Sequence, residues 1–85
     1  MASYRLLIKP SAAKELEDLP RKDRARIVRR ISQLAADSRP PGCEKLSGHD
    51  QYRVRHGDFR IVYSVDDPEP SVLVVKIGHR RDVCR

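Results

Sequence analysis

The sequence predicts a small α+β domain, ordered β-α-α-β-β-β, with an antiparallel meander sheet covered on one face by a helical hairpin. Two observations predict this class: apolar and cationic residues alternate around Gly57-Asp58, and two stretches near the N-terminus have apolar residues at helical spacing. The 85 residues are expected to form a single domain, 1–85. A chain this short buries too little surface for a deep cavity, so we expect any chemistry on an open face.

A β-hairpin is predicted at residues 52–63, because a Gly-Asp pair between alternating runs is typical of a two-residue loop. Side chains alternate across a strand, so one face is apolar and the other carries Arg53, Arg55 and Arg60. Arg55 falls opposite Arg60, and like charges in that position destabilise a hairpin. The cluster therefore indicates an anionic ligand, with a solvated basic face as the alternative.

The other elements are predicted from residues that begin or end helices and from the spacing of apolar residues. A first strand is expected at 4–9, a first helix at 12–19 capped by Ser11, and a second helix at 21–37 after Pro20. The second helix has an apolar stripe of Ala25, Ile27, Val28, Ile31, Leu34 and Ala35. The two helices, joined by a tight Leu-Pro link, are expected to pack as a hairpin.

The last strand, residues 71–78, completes the meander after an acidic turn. Burial favours a register with Val65 opposite Ser71, because a one-residue slip would bury Lys76. This register places Leu73, Val75 and Ile77 in the core. It also adds Lys76, beside Arg60, and Arg80 to the arginine face.

Composition indicates which partners, cellular location and cysteine chemistry to expect. A net charge of +6 favours nucleic acid, an acidic protein or an anionic membrane surface as partner. There is no apolar run long enough to cross a membrane and no signal-peptide pattern, so a cytosolic protein is expected. Cys43 and Cys84 lack metal-ligand spacing and are expected as free thiols, without a metal site.

A phosphate-binding arginine face raises the possibility of RNA cleavage, which has three chemical requirements. The 2′-hydroxyl must lose a proton, the phosphorane must be stabilised, and the leaving 5′-oxygen must gain a proton. Arginines suit the second task, because a planar guanidinium fits two phosphate oxygens and stays charged. The titratable candidates are His79, His56 and Cys84, with His56 expected on the apolar face; the general base and acid stay open.

Three motifs resemble a known family: KLSG at 45–48, YRVRHGDFRIVY at 52–63 and KIGHRRDV at 76–83. Together with the order of elements they are similar to the RelE/ParE superfamily of bacterial toxins, and more closely to its RelE branch. The resemblance implies a type II toxin that cleaves mRNA in the ribosomal A site without metal or cofactor and inhibits translation. It also implies a cytoplasmic location and a small acidic, RelB-like antitoxin, and is compatible with a toxin–antitoxin heterotetramer.

The resemblance also implies which residues act. By position, the catalytic set is Arg53, Arg55, Arg60, Arg80, His79 and Cys84. RNA binding would be completed by Lys76, Arg81 and Arg85.

Two departures from the family pattern bear on activity. Better-studied relatives have lysines where this chain has Arg53 and Arg55, and many have a tyrosine in place of Cys84. Two alternatives therefore stay open: a ParE-like toxin that inhibits DNA gyrase, and a decayed, non-catalytic nucleic-acid-binding module.

Overall fold

The computed structural model describes residues 4–46 and 51–79, which form a five-stranded sheet and two helices. In chain order these are β1 (Arg5–Ile8), α1 (Pro10–Glu17), α2 (Arg21–Ala36), β2 (Glu44–Lys45), β3 (Gln51–His56), β4 (Phe59–Asp66) and β5 (Ser71–His79). The predicted α+β class is confirmed. Within this part of the chain, no helix is long and apolar enough to span a membrane.

The sheet is mixed, with strand order β1-β5-β4-β3-β2, so the expectation of a purely antiparallel meander is wrong. Strand β1 pairs with β5 in parallel, Arg5 opposite Ser71 and Ile8 opposite Val74. The short strand β2 adds a fifth, antiparallel strand beside β3, within a segment expected to be a loop. Only β3, β4 and β5 form the predicted meander.

The hairpin of β3 and β4 has the predicted register. His56 lies opposite Phe59, Arg55 opposite Arg60, and Tyr52 opposite Tyr63. Gly57 in the loop has φ +60°, a left-handed conformation that glycine adopts without a steric penalty. The residues expected on the apolar face enter the core, where Val54, Ile61 and Tyr63 are nearly or completely buried.

The register between β4 and β5 differs from the prediction. Val65 lies opposite Val72 instead of Ser71, and a β-bulge near Val62 and Tyr63 shifts the remaining pairs by one residue. The core residues of β5 are therefore Val72, Val74 and Ile77, while Leu73 and Val75 are only half-buried. Simple alternation cannot predict a bulge, because one extra residue reverses the face of every position after it.

The helices lie against one face of the sheet and supply the other half of the core. Ala12 of α1 is buried, as are Ile27, Ile31 and Leu34 of α2, at i, i+4 and i+7. Ala25 and Val28 were expected in this stripe but are exposed, because they lie on its flank. Helix α1 begins at Pro10 without the expected Ser11 cap, since proline suits the first helical position.

A polar cluster joins the segment after α2 to the β4–β5 turn. Asp67 accepts hydrogen bonds from the Tyr4 hydroxyl at 2.6 Å and from Arg39 Nη2 at 2.9 Å. Arg39 Nε also donates to the Tyr52 hydroxyl at 2.9 Å, and its guanidinium carbon lies 5.2 Å from the Tyr52 ring centroid. These contacts link the residue before β1, the segment after α2, strand β3 and the β4–β5 turn.

Candidate functional site

The arginine face of the sheet is the candidate site. Arg53 and Arg55 of β3 and Arg60 of β4 alternate with the buried residues of the hairpin, so they project from the side away from the helices. Arg55 is exposed, while Arg53 and Arg60 are half-buried. The site was expected on this face, and the hairpin brings these three residues together as predicted.

The floor of this face is apolar. Val62 projects from the same side as Arg60, yet only 7% of its surface is exposed. It lies opposite Arg53 on one side and Lys76 on the other. Long cationic side chains cover apolar surface with their aliphatic stems while the charged ends remain in water. Val62 is therefore an apolar position between two cationic neighbours, Arg53 and Lys76.

Glu44 lies on this face among the arginines and was not predicted. Strand β2 sets it opposite Arg53, whose Nη2 donates to Glu44 Oε1 at 2.9 Å. This hydrogen bond lowers the pKa of the Glu44 carboxyl below its usual value, and the charges of Arg53, Arg55 and Arg60 lower it further. A single acidic residue in a loop rich in proline and glycine carries no local pattern, so only the pairing of β2 with β3 reveals it.

Lys76 does not lie where it was expected. It is opposite Val62 instead of beside Arg60, and its Nζ donates to Glu15 Oε2 of α1 at 2.9 Å. Two shifts account for the changed position: β5 begins one residue out of the predicted register, with Val65 opposite Val72, and the bulge adds one more residue. Gly78 is the residue of β5 that lies opposite Arg60.

His56 and His79, which were both candidates for proton transfer, lie on the helix side of the sheet. His79 pairs with Phe59, and the two rings meet edge to face with centroids 5.8 Å apart. His56 lies opposite Phe59 on its other side, as expected of an apolar-face residue. Neither side chain faces the arginines, so His79 is not brought together with Arg53, Arg55 and Arg60. Arg80, Arg81, Cys84 and Arg85 lie outside the described residues.

A second cationic surface lies on the helix side. A groove of about 630 Å³ runs along α2, lined by Lys22, Arg26, Arg29, Arg30 and His56, with Ala25 and Gln33. Its charge comes from the exposed side of α2 and is separated from the arginine face by the sheet. The described residues contain no group of three or more His, Cys, Asp and Glu side chains placed to hold a metal ion.

Comparison with models of protein families identifies the family to which this chain belongs. The model of the ParE toxin of type II toxin–antitoxin systems matches residues 6–83. The chain belongs to the ParE toxin family. It is therefore a toxin of the RelE/ParE type from a type II toxin–antitoxin system.

Solved structures of RelE toxins resemble this ParE-family toxin closely. A mutant of the Escherichia coli toxin RelE in the free state is 25% identical, with a TM-score of 0.80 over 95% of this chain and 87% of that one. The archaeal RelE–RelB complex from Pyrococcus horikoshii is 28% identical, with a TM-score of 0.78 over 91% and 94%.

The toxin–antitoxin complex RelBE2 from Mycobacterium tuberculosis is 22% identical, with a TM-score of 0.82 over 93% of this chain and 100% of that one. At this identity the likeness concerns the fold alone. No curated protein sequence matches the chain. The predicted RelE/ParE superfamily is confirmed.

Proposed function

We propose that this toxin is a ribosome-dependent endoribonuclease that cleaves mRNA in the A site and so inhibits translation. The observation that carries the proposal is the exposed sheet face on which Arg53, Arg55 and Arg60 surround the Glu44 carboxylate. A phosphodiester needs cations to hold it, and its cleavage needs a group that accepts a proton. This face offers both.

The arginines would hold the scissile phosphate. Their planar, permanently charged forks match phosphate oxygens and stabilise the extra negative charge of the phosphorane. Since the face is open, a single-stranded segment of mRNA can lie across it without entering a cavity. Arg53 and Arg60 are half-buried, and Arg53 is also held by its hydrogen bond to Glu44, which limits the freedom that binding must remove.

Glu44 would accept the proton of the attacking 2′-hydroxyl. The 2′-oxygen then forms a bond to phosphorus while the bond from phosphorus to the 5′-oxygen breaks. The products are a 2′,3′-cyclic phosphate and a 5′-hydroxyl, which needs one proton. We propose the Cys84 thiol of the C-terminal segment as the source of that proton, because His79 projects from the opposite face of the sheet and the guanidinium of Arg80 keeps its proton at neutral pH.

Purified toxin added to translating ribosomes tests this proposal. We expect mRNA cut within A-site codons, and no cutting of the same mRNA without ribosomes. Replacing Arg60 or Arg80 with alanine is expected to relieve the growth arrest caused by induced expression. A wild-type protein that arrests growth with its mRNA intact would rule out the ribonuclease, and one that causes no arrest would favour a decayed toxin.

The second candidate is inhibition of DNA gyrase, and the family match favours it. The matching model is that of ParE toxins, and it spans residues 6–83. Folds are shared across the superfamily, so the fold itself does not separate the two activities. Gyrase–DNA breaks that accumulate while mRNA stays intact would establish the ParE-like activity.

The cytoplasmic partner that we propose is a small acidic, RelB-like antitoxin. Solved relatives include toxin–antitoxin complexes from Mycobacterium tuberculosis and Pyrococcus horikoshii. A net charge of +6 favours an acidic chain, and binding to the folded toxin stabilises it by mass action. Copurification with the product of an adjacent short reading frame tests this, and a heterotetramer would appear in the mass of the complex.

A further inference from the structure

Glu15 of α1 makes two hydrogen bonds to consecutive residues near the end of β5. Its Oε1 accepts from the backbone N–H of Ile77 at 2.9 Å, and its Oε2 accepts from Lys76 Nζ at 2.9 Å. The side chain of Glu15 is 33% exposed. One carboxylate thus fastens the first helix to the last strand of the sheet.

The position of this contact follows from the length of β1. Strand β1 ends at Ile8, opposite Val74, so β5 continues beyond Val74 without a strand on that side. A backbone N–H without a partner there would lose a hydrogen bond on folding. Glu15 supplies the acceptor, and a charged acceptor makes a stronger bond than a neutral one.

The same stretch of β5 carries the bulge. Val62 pairs with Lys76 but Tyr63 pairs with Val74, so Val75 has no counterpart on β4. If the register of the first half of β5 continued unbroken, Ile77 instead of Gly78 would lie opposite Arg60. The bulge therefore buries Ile77, which is 1% exposed, and leaves Arg60 facing a residue without a side chain.

We propose that Glu15 is a positioning residue for the arginine face. By binding the Ile77 N–H immediately after the bulge, it fixes the register in which Gly78 lies opposite Arg60. It also draws the Lys76 ammonium towards α1. A slip to the unbulged register would place the Ile77 side chain beside Arg60, where a phosphate has to approach. This inference rests on the proposed ribonuclease activity, since it assigns Glu15 to the site of that reaction.

The test compares three variants for cleavage of mRNA on translating ribosomes. Glu15→Ala removes both acceptors, Glu15→Gln keeps an amide oxygen for the Ile77 N–H, and Glu17→Ala removes a carboxylate from the same helix as a matched control. We expect Glu15→Ala to lower kcat by about tenfold to a hundredfold, because small misplacements of catalytic groups cost that much. Glu15→Gln is expected to recover most of the loss, and Glu17→Ala to match the wild type.

A second measurement reports on the contact itself. Hydrogen exchange of the Ile77 amide, followed by NMR, is expected to be faster in Glu15→Ala than in the wild type and in Glu15→Gln. Activities are compared at a temperature at which every variant is folded. If Glu15→Ala does not fold, Glu15→Asp takes its place, since the shorter side chain keeps the charge but cannot reach both donors. A kcat below that of the wild type then supports the proposal, and an equal kcat overturns it.

The outcomes separate this inference from the proposed function. Wild-type cleavage together with an unchanged kcat in Glu15→Ala would overturn the role of Glu15 alone. A folded Glu15→Gln as slow as Glu15→Ala would also overturn it, because the acceptor for Ile77 would then be irrelevant. A wild-type protein that cleaves no mRNA would instead refute the proposed ribonuclease.

Discussion

At the scale of single residues, Glu44 gives the arginine face a group that can exchange a proton. The other charged groups that the hairpin places on this face are the guanidinium groups of Arg53, Arg55 and Arg60, which do not release a proton near neutral pH. The Glu44 carboxylate accepts a hydrogen bond from Arg53, which lowers the pKa of a carboxyl group that is already ionised at neutral pH. The same bond orients Arg53, so Glu44 serves the neighbouring guanidinium as well as the proposed reaction.

Replacing Glu44 with glutamine separates these two contributions. The amide can still accept the hydrogen bond from Arg53 but no longer removes a proton at neutral pH. We expect kcat for mRNA cleavage to fall by about 10²- to 10⁴-fold, the range of general acid–base catalysis, while KM changes little. Single-turnover cleavage on programmed ribosomes measures this. A variant as fast as the wild type would show that another group takes the proton.

Asp67 makes folding sensitive to acid. Its hydrogen bonds from Arg39 and Tyr4 lower the pKa of its carboxyl in the folded protein. A lowered pKa contributes stability above the unfolded value near pH 3.9, and the contribution is lost as pH falls through the folded value. The difference in Tm between the wild type and Asp67→Asn should therefore be largest near pH 7 and shrink below about pH 4.

Glu69→Gln is the control for that series, because it removes a carboxylate from the same turn. Its Tm is expected to follow the wild type across the range. A difference between the wild type and Asp67→Asn that stays constant down to pH 2 would contradict the assignment to Asp67.

At the scale of elements, the β3–β4 hairpin depends on its loop glycine. Gly57 has φ +60°, and a Cβ added there would meet no atom within 4 Å. The cost of Gly57→Ala is therefore backbone strain alone, about 1–2 kcal/mol in the free energy of unfolding. Gly57→Asn should cost less, since asparagine adopts this conformation more readily. Urea denaturation measures both, and an equal cost for the two variants would argue against strain.

The hairpin and strand β5 show how far alternation predicts structure. Every pair of the hairpin was predictable, because a two-residue loop fixes the register and a one-residue slip would exchange its faces. In β5, Leu73, Val75 and Ile77 alternate as expected of a core strand. The observed register buries Val72 and Val74 instead, and the bulge after them returns Ile77 to the core. Valine and leucine on both faces of the strand left its register ambiguous in the sequence.

At the scale of the whole molecule, positive charge is divided between the two sides of the sheet. One side carries Arg53, Arg55 and Arg60, and the other the groove along α2. The total charge can be calculated from the composition. Its division between the two sides of the sheet cannot, because that depends on how α2 packs. The site residue Glu44 was equally out of reach, because its position depends on the pairing of β2 with β3.

Salt dependence distinguishes the two sides. Replacing Arg53, Arg55 and Arg60 with alanine should reduce the slope of log K against log salt for a single-stranded RNA by about 2, since each phosphate contact contributes about 0.7. Replacing Arg26, Arg29 and Arg30 of the groove removes the same charge and should change the slope less. Equal changes, measured by fluorescence anisotropy, would indicate that RNA does not prefer the arginine face.

The parallel pairing of β1 with β5 has a consequence for the order of folding. Arg5 pairs with Ser71, so β1 can join the sheet only after β5 has been synthesised. The first strand to be made is therefore among the last to be incorporated into the sheet. Contacts between residues so distant in the chain form slowly, because the intervening loop must close first. During synthesis the helices and the β3–β4 hairpin can form early, but the sheet is complete only when β5 has emerged. A nascent chain of this toxin therefore stays inactive until nearly all of the described domain has been translated.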